Sequence, residues 1–343
     1  MISICIPTYN GSEYLRECLD SVMVQTLADF EVLIVDDQST DDSVAIAEEY
    51  AAADPRVRVV KNERNLGLVG NWNRCIELAR GEWIKFVFQD DLIEPMCLEK
   101  MLAVARPEIG IVACRREFVF DGISEKKRKG FLVYVGMYDI EKLLPGKTQI
   151  TADEFSLVVS DTINHNFVGE PTSMLLHRNL FYRFGVFNSH LIQVCDMEYW
   201  ARVGVNRGIT YIPETLAWFR VHGNSMSESN GTKRRNQVLM LDEMVMLHDY
   251  AFNPVYAPLR AVAARREPPV DFCELLAVKV RDTKRLARKL AGDVSQSDNN
   301  LNLDFDRLKK YYPMLGKIRK IPFSRRLTYL QWKIRSALSK FKG

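Results

Sequence analysis

Along the first third of the chain, runs of β-branched, aliphatic and aromatic residues alternate with stretches whose apolar positions recur every three or four residues. ISICIP (2–7), FEVLIVDD (30–37), RVRVVKN (56–62) and WIKFVFQDD (83–91) are strand patterns that stop at polar residues. Leu15, Cys18, Leu19 and Val22 repeat at i, i+3, i+4, i+7, as do Trp72, Cys75, Ile76 and Ala79, which predicts amphipathic helices between strands. Asn10/Glu13 and Ser39/Asp42 have the spacing of capping boxes. The order β-α-β-α-β-α-β implies right-handed crossovers and an α/β fold, a mainly parallel sheet flanked by helices. Ligands of such sheets bind at the carboxyl ends of the strands, where Asp36/Asp37 and Asp90/Asp91 fall.

Past residue 230 the character changes. SESNGTKRRNQ (227–237) reads as a polar hinge or loop, 238–252 and 271–291 as helices, and GDVSQSDNNLN (292–302) as a linker. The expected division is a domain at 1–230 and a basic, mainly helical region at 231–343. Charge sharpens it: residues 279–343 hold 18 Lys plus Arg against 5 Asp, a balance of +13 that leaves −10 for residues 1–278. The segment SRRLTYLQWKIRSALSKFKG (324–343) sets Leu327, Leu330, Ile334, Leu338 and Phe341 at near-heptad spacing among six cations and no acids. Such a helix packs on the body, on a second subunit as a homo-oligomer, or on an anionic membrane surface. No nucleic-acid recognition motif accompanies the charge, so nucleic acid is not an expected partner.

Cys5, Cys18, Cys75, Cys97, Cys114, Cys195 and Cys273 are scattered without a CxxC pair, which argues against a disulfide framework or a zinc knuckle. With no signal-peptide pattern and no apolar run long enough to span a bilayer, the expected location is cytoplasmic, peripheral on the cytoplasmic face of the inner membrane.

The acidic pairs carry the candidate chemistry. GxGxxG and GxxxxGK[ST] are both absent, so phosphates are not cradled by a dinucleotide-binding turn or a P-loop. An acidic pair at a strand end can instead hold Mg²⁺ or Mn²⁺, hard cations that bridge phosphate oxygens. A second pair one strand away can accept hydrogen bonds from a base or ribose. Each has a plainer reading, since Asp36/Asp37 with Asp41/Asp42 also suits an acidic helix start, and Asp196 with Glu198 the start of MEYWARVGV.

PTYN (7–10), VDDQSTDDS (35–43), RNLGLVGNWNRCIELARGEWIKFVFQDD (64–91), GEPT (169–172), CDMEYWARV (195–203) and FRVHGNSMS (219–227) together resemble family 2 glycosyltransferases of the GT-A fold. The resemblance implies an inverting sugar transferase that uses a nucleotide diphosphate donor, by default a UDP-sugar, with Mn²⁺ or Mg²⁺. Its acceptor would be a hydroxyl of a glycan or lipid-linked molecule in cell-surface polysaccharide synthesis. Carried over by residue, Pro7, Thr8 and Tyr9 would line the base pocket, Tyr9 stacking on the ring. Asp37 would accept from the base, with Arg64 and Asn65 nearby, and Asp90 would reach the donor ribose or sugar. Asp91 and His222 would hold the metal, while Arg220 and Ser225 would belong to a loop over the diphosphate. Gly169, Glu170 and Pro171 would lie on the acceptor side, and Asp196 would be the general base. Two positions depart from the pattern: Cys195 stands where a Glu is usual, and Gln89 where many relatives have an acid. A sugar nucleotidyltransferase and a catalytically inactive sugar-nucleotide or glycan-binding module stay open as alternatives; PTYNGSEY lacks the basic residue the first would need.

Overall fold

The expected strands and helices form in a computed structural model, whose described residues are 1–163, 165–223, 232–291 and 301–318. In order they are β1 (Ile2–Thr8), α1 (Leu15–Met23), β2 (Phe30–Asp36), α2 (Ser43–Ala53), β3 (Val57–Lys61), α3 (Gly67–Leu78) and β4 (Trp83–Phe86). Further on come β5 (Leu92–Ile93), α4 (Cys97–Ala103), β6 (Ile111–Phe120), α5 (Glu125–Met137), α6 (Ile140–Leu143) and β7 (Gln149–Ile150). Then follow α7 (Ala152–Thr162), β8 (Met174–His177), α8 (Asn179–Phe184), α9 (Cys195–Arg207) and β9 (Ile209–Val221).

The strands lie in the order β3-β2-β1-β4-β8-β6-β9-β5, with β7 also on β9. β3, β2, β1 and β4 are parallel, as are β6 and β9. The antiparallel pairings, through β8, β5 and β7, are only two or three residues long. Every residue of β1, β2 and β4 is buried, which explains why they read as continuous apolar runs rather than alternating ones.

β4 stops earlier than its apolar run suggests. Val87 N–H still donates to Cys5 O, but Phe88 N–H turns to the hydroxyl of Thr172, and the chain leaves the sheet before the acids. The two capping boxes do not form, because their side chains tie neighbouring loops together instead. Asn10 N–H donates to Ser39 Oγ, Thr40 N–H to Asn10 Oδ1, Gly11 N–H to Ser43 Oγ and Ser12 N–H to Asp41 Oδ2. The loops after β1 and β2 are thereby fixed to each other, with Asn10 and Gln38 both at positive φ.

The chain forms two compact units. The first comprises 1–152, 166–189 and 207–223, and includes the whole sheet; the second comprises 153–165, 190–206 and 224–343. In the second unit α10 (Thr232–Phe252), α11 (Ala257–Ala264), α12 (Phe272–Ala291), α13 (Leu301–Tyr311) and α14 (Met314–Lys317) follow α9. Tyr250 of α10 packs edge-on to Tyr256 and Phe272, and Lys279 of α12 pairs with Glu243 of α10. The polar stretch 227–237, expected as a loop, is helical from Thr232, since Lys, Arg and Gln are good helix formers whatever their polarity. Of the expected linker, residues 301–302 open α13 and 292–300 lie outside the described residues, as does the amphipathic segment 324–343. No helix among the described residues is long and apolar enough to cross a membrane.

Candidate active site

The carboxyl ends of β1, β2 and β4 converge in the first unit. Thr8 is buried and its hydroxyl turns back to Ile6 O, 3.3 Å away, whereas Tyr9 is 49% exposed. Gln89 holds Tyr9 from both sides: Tyr9 N–H donates to Gln89 Oε1 at 2.8 Å, and Gln89 Nε2 donates to Tyr9 O at 3.1 Å. An acid at 89 could accept but not donate, so the amide suits this clamp.

Asp37 is buried and its carboxylate already has protein donors. Oδ1 accepts from Leu66 N–H (2.7 Å) and Asn62 Nδ2 (2.8 Å), and Oδ2 from Gly67 N–H (2.9 Å). In place of the open acceptor expected from the sequence, Asp37 caps the start of α3, where a negative charge meets the helix dipole. Asn65 closes the same turn through Asp37 O, and Arg64 is exposed beside it.

The two acids after β4 face opposite environments. Asp91 is fully buried: Oδ2 accepts from Thr172 Oγ1 at 2.5 Å, and Oδ1 from Arg220 N–H at 2.9 Å. Burial, then the adjacent Asp90 charge, push its carboxyl well above the usual carboxylate range against the pull of those bonds. Asp90 remains partly open, with Oδ2 2.9 Å from His222 Nε2. The other ring nitrogen of His222, Nδ1, is buried with no hydrogen-bond partner among the described residues.

Arg220, expected as a loose cation over phosphates, is built into the wall. Its Nε donates to Asp90 O (2.9 Å), its Nη2 to Glu17 (2.6 Å), and its guanidinium lies 4.5 Å from the Tyr14 ring centroid. That ring also meets His222 edge-on at 4.8 Å. Ser225 lies outside the described residues.

Gly169, Glu170 and Pro171 lead into a 3-10 turn, Pro171–Ser173, ahead of β8. Gly169 has φ 125°, and a Cβ there would come within 2.5 Å of Ser173 Oγ. Glu170 forms an ion pair with the buried Arg116, and its charge also bears on Asp91. Thr172, unassigned from sequence, joins three partners: Asp91, Phe88 N–H and, through its carbonyl, the fully buried Lys85. A lysine inside the apolar run WIKFVF was the available signal.

In the second unit Asp196 occupies the first turn of α9, half-buried, with Oδ1 accepting from Met197 N–H at 2.7 Å. Cys195 is buried, and its thiol is pushed up by that burial and by Asp196. Glu198 pairs with Arg202 and accepts from Tyr256 OH at 2.5 Å, so it is a packing group. Asp242 of α10 holds the turn before α9: its Oδ2 accepts from Ile192 N–H (2.9 Å) and Gln193 N–H (2.5 Å).

Two carboxylates and an imidazole have the chemistry of Mg²⁺ or Mn²⁺ ligands. The unpartnered His222 Nδ1 and the adjacent acids, one buried, fit a nearby positive charge. No group of three or more His, Cys, Asp or Glu among the described residues makes a self-sufficient metal cage.

The sequence profile of glycosyl transferase family 2 matches residues 3–187, more than half the chain. The chain belongs to that family. It is 31% identical over 218 residues to an uncharacterized protein of Mycobacterium tuberculosis, covering 63% of this chain and 66% of that one. It is 43% identical over 120 residues to the putative glycosyltransferase EpsH of Bacillus subtilis, 35% of each chain. With the chondroitin synthase of Escherichia coli it shares 37% over 147 residues, 42% of this chain and 21% of that one. This chain thus spans under two thirds of the length of each of these relatives.

Among solved structures, Staphylococcus aureus TarS with UDP-GlcNAc superposes with a TM-score of 0.57 at 18% identity, over 92% of this chain and 83% of that one. The mannosyltransferase PcManGT of Pyrobaculum calidifontis, with GDP-Man and Mn²⁺, gives 0.52 at 17%, over 99% and 87%. At such identities the likeness is one of fold, and the fold is GT-A.

Proposed function

We propose that this protein is an inverting, metal-dependent glycosyltransferase that moves a sugar from a nucleotide diphosphate donor, a UDP-sugar by default, to a hydroxyl of a glycan or lipid-linked acceptor in cell-surface polysaccharide synthesis. The observation that carries the reading is the pair Asp90–His222 beside the buried Asp91, at the carboxyl end of a parallel sheet in a family 2 chain. The donor class and the metal are supported by TarS with UDP-GlcNAc and by PcManGT with GDP-Man and Mn²⁺, and the polymer role by chondroitin synthase.

On this reading Tyr9, exposed and clamped by Gln89, stacks on the base, with Pro7 and Thr8 beneath it and Arg64 and Asn65 at its edge. Asp37 acts by shaping the 65–67 turn. Asp90 faces the donor and, with His222, would hold the cation through its open carboxylate; Asp91, expected as the ligand, is fully buried with both oxygens hydrogen-bonded and would contribute from behind them. Arg220, and Ser225 beyond the described residues, belong to the wall around the diphosphate. Gly169, Glu170 and Pro171 border the acceptor. When bound, the cation supplies charge stabilisation to the departing diphosphate.

Inversion needs one displacement. As the acceptor oxygen bonds to the anomeric carbon, Asp196 takes its proton, and the breaking C–O bond gives its electron pair to the diphosphate. A positioned carboxylate contributes roughly 10²–10⁴-fold in such a step. The transfer domain is taken as residues 1–230, with the basic helical region beyond it. A donor-binding module without turnover is the second reading, favoured by Cys195 in the usual place of a Glu.

A thermal-shift screen of UDP, GDP and TDP with and without Mn²⁺ tests the donor site. Ligand at 100 times its dissociation constant should stabilise the chain by about 2.7 kcal/mol. A metal-dependent shift with one nucleotide supports the reading; no shift with any of them contradicts it.

A further inference from the structure

Helix α5 packs on β6 of the first unit through Phe131 and Arg128. On its inward side Phe131 sits edge-on to Phe118 and Phe120 of β6, at 5.0 and 5.7 Å, the Arg128 guanidinium lies 5.3 Å from the Phe120 ring centroid, and the buried Tyr138 follows the helix's last residue. None of the helix's thirteen residues is buried. Away from that stripe Leu132 and Val133 are 40% and 63% exposed, whereas Tyr134 lies 5.5 Å from the Tyr138 ring, and a Cβ on Gly130 or Gly136 would meet no atom within 4 Å. An apolar surface of this kind is costly in water unless something covers it.

The charges identify the cover. Lys126, Lys127, Arg128 and Lys129 follow one another at the start of the helix, against the single acid Glu125, in a body whose residues 1–278 carry a balance of −10. Lys126, Lys129 and Val133 share the outward stripe at i, i+3, i+7, so cations and apolar groups address the same neighbour. An anionic bilayer offers both phosphate headgroups and a hydrocarbon boundary, whereas nucleic acid has no use for Leu132 and Val133.

The position of the helix gives this surface a purpose. α5 begins four residues after Asp121, whose N–H donates to Val221 O and whose carboxylate accepts from Tyr14 OH at 2.9 Å. Tyr14 in turn packs on His222. The exposed helix therefore rises at the end of the sheet that carries the Asp90–His222 pair.

We propose that α5 is an interfacial helix that docks the first unit on an anionic lipid bilayer through Leu132 and Val133, with Lys126, Lys127 and Lys129 at the headgroups. Docking stands without the transferase reading; resting on that reading is only its corollary, an acceptor anchored in lipid and presented at the bilayer surface.

The test uses the full chain with a polarity-sensitive dye at residue 136. Gly136→Cys places it in open space, and Cys273→Ser removes the exposed native thiol, the other six cysteines being buried. Vesicles of phosphatidylcholine containing phosphatidylglycerol should shift the dye emission to the blue and float the protein, while pure phosphatidylcholine should not. Added salt should weaken the effect, and Leu132→Glu with Val133→Glu, or separately Lys126→Glu with Lys127→Glu, should cost at least about tenfold in vesicle affinity. Nucleotide-induced thermal shifts of these variants should match the parent, which separates loss of docking from loss of fold or donor site. Flotation without a dye shift would assign binding to another part of the chain and overturn the proposal. So would a blue shift that needs no vesicles and grows with protein concentration, which would mark the face as an interface between copies.

Discussion

The hydroxyl of Thr172 donates a 2.5 Å hydrogen bond to Oδ2 of Asp91, 81 residues away, and accepts from Phe88 N–H at the point where β4 leaves the sheet. One side chain thus fixes a buried carboxylate and ends the strand before it. Thr172→Val keeps the shape and removes both bonds. Stability should fall by about 1–3 kcal/mol, the cost of leaving buried polar groups unpaired, and metal-dependent donor affinity should fall with it. Urea unfolding and nucleotide titration of the variant check this; a variant as stable as the parent would show that Asp91 is held by Arg220 N–H alone.

Gly169→Ala should destabilise by about 1–3 kcal/mol, because φ 125° is strained for any L side chain and the added Cβ presses on Ser173 Oγ. Thermal unfolding reads the effect. An unchanged melting temperature would mean that the 169–173 turn relaxes freely and does not rigidly position Glu170.

Asp242 gives a pH signature with a definite sign. Burial raises its carboxyl from 3.8 to about 6, outweighing the backbone N–H bonds from residues 192–194 that lower it. The native state therefore prefers the protonated form, so this group's contribution is full below pH 3.8 and is lost as pH rises through about 6. The span is on the order of 3 kcal/mol. The bonds from Ile192 N–H and Gln193 N–H both go to Oδ2, so Asp242→Asn can keep them without the charge. The Asn variant should be more stable than the parent at pH 7, with the advantage shrinking toward pH 4. A constant difference across that range would refute the assignment.

What was legible in the sequence follows from what is local. The alternating strands and helices, the parallel sheet and the acids at strand ends are all set by patterns within a few residues, and they formed as expected. The uses of individual acids were not local. Asp37 looked like an open acceptor because the N–H groups of Leu66 and Gly67 lie about thirty positions on. Arg220 looked like a loose cation because Glu17, its partner, is 203 residues away. Asn10 and Ser39 matched a local capping motif, yet the facing loop competed successfully for their side chains. The helix at 232–237 was missed because polarity was read as a loop signal, although Lys, Arg and Gln carry good helix propensity.

The most direct test of the transferase reading is the rate of UDP release from a UDP-sugar in Mn²⁺, with a hydroxyl acceptor, for the parent chain and for Asp196→Asn. The substitution keeps size and shape but cannot accept a proton at neutral pH. Turnover should fall by at least about 10²-fold with donor affinity unchanged, and the acid limb of the parent's pH–rate profile should disappear. An Asn variant that turns over at the parent's rate with the same pH profile would contradict the account.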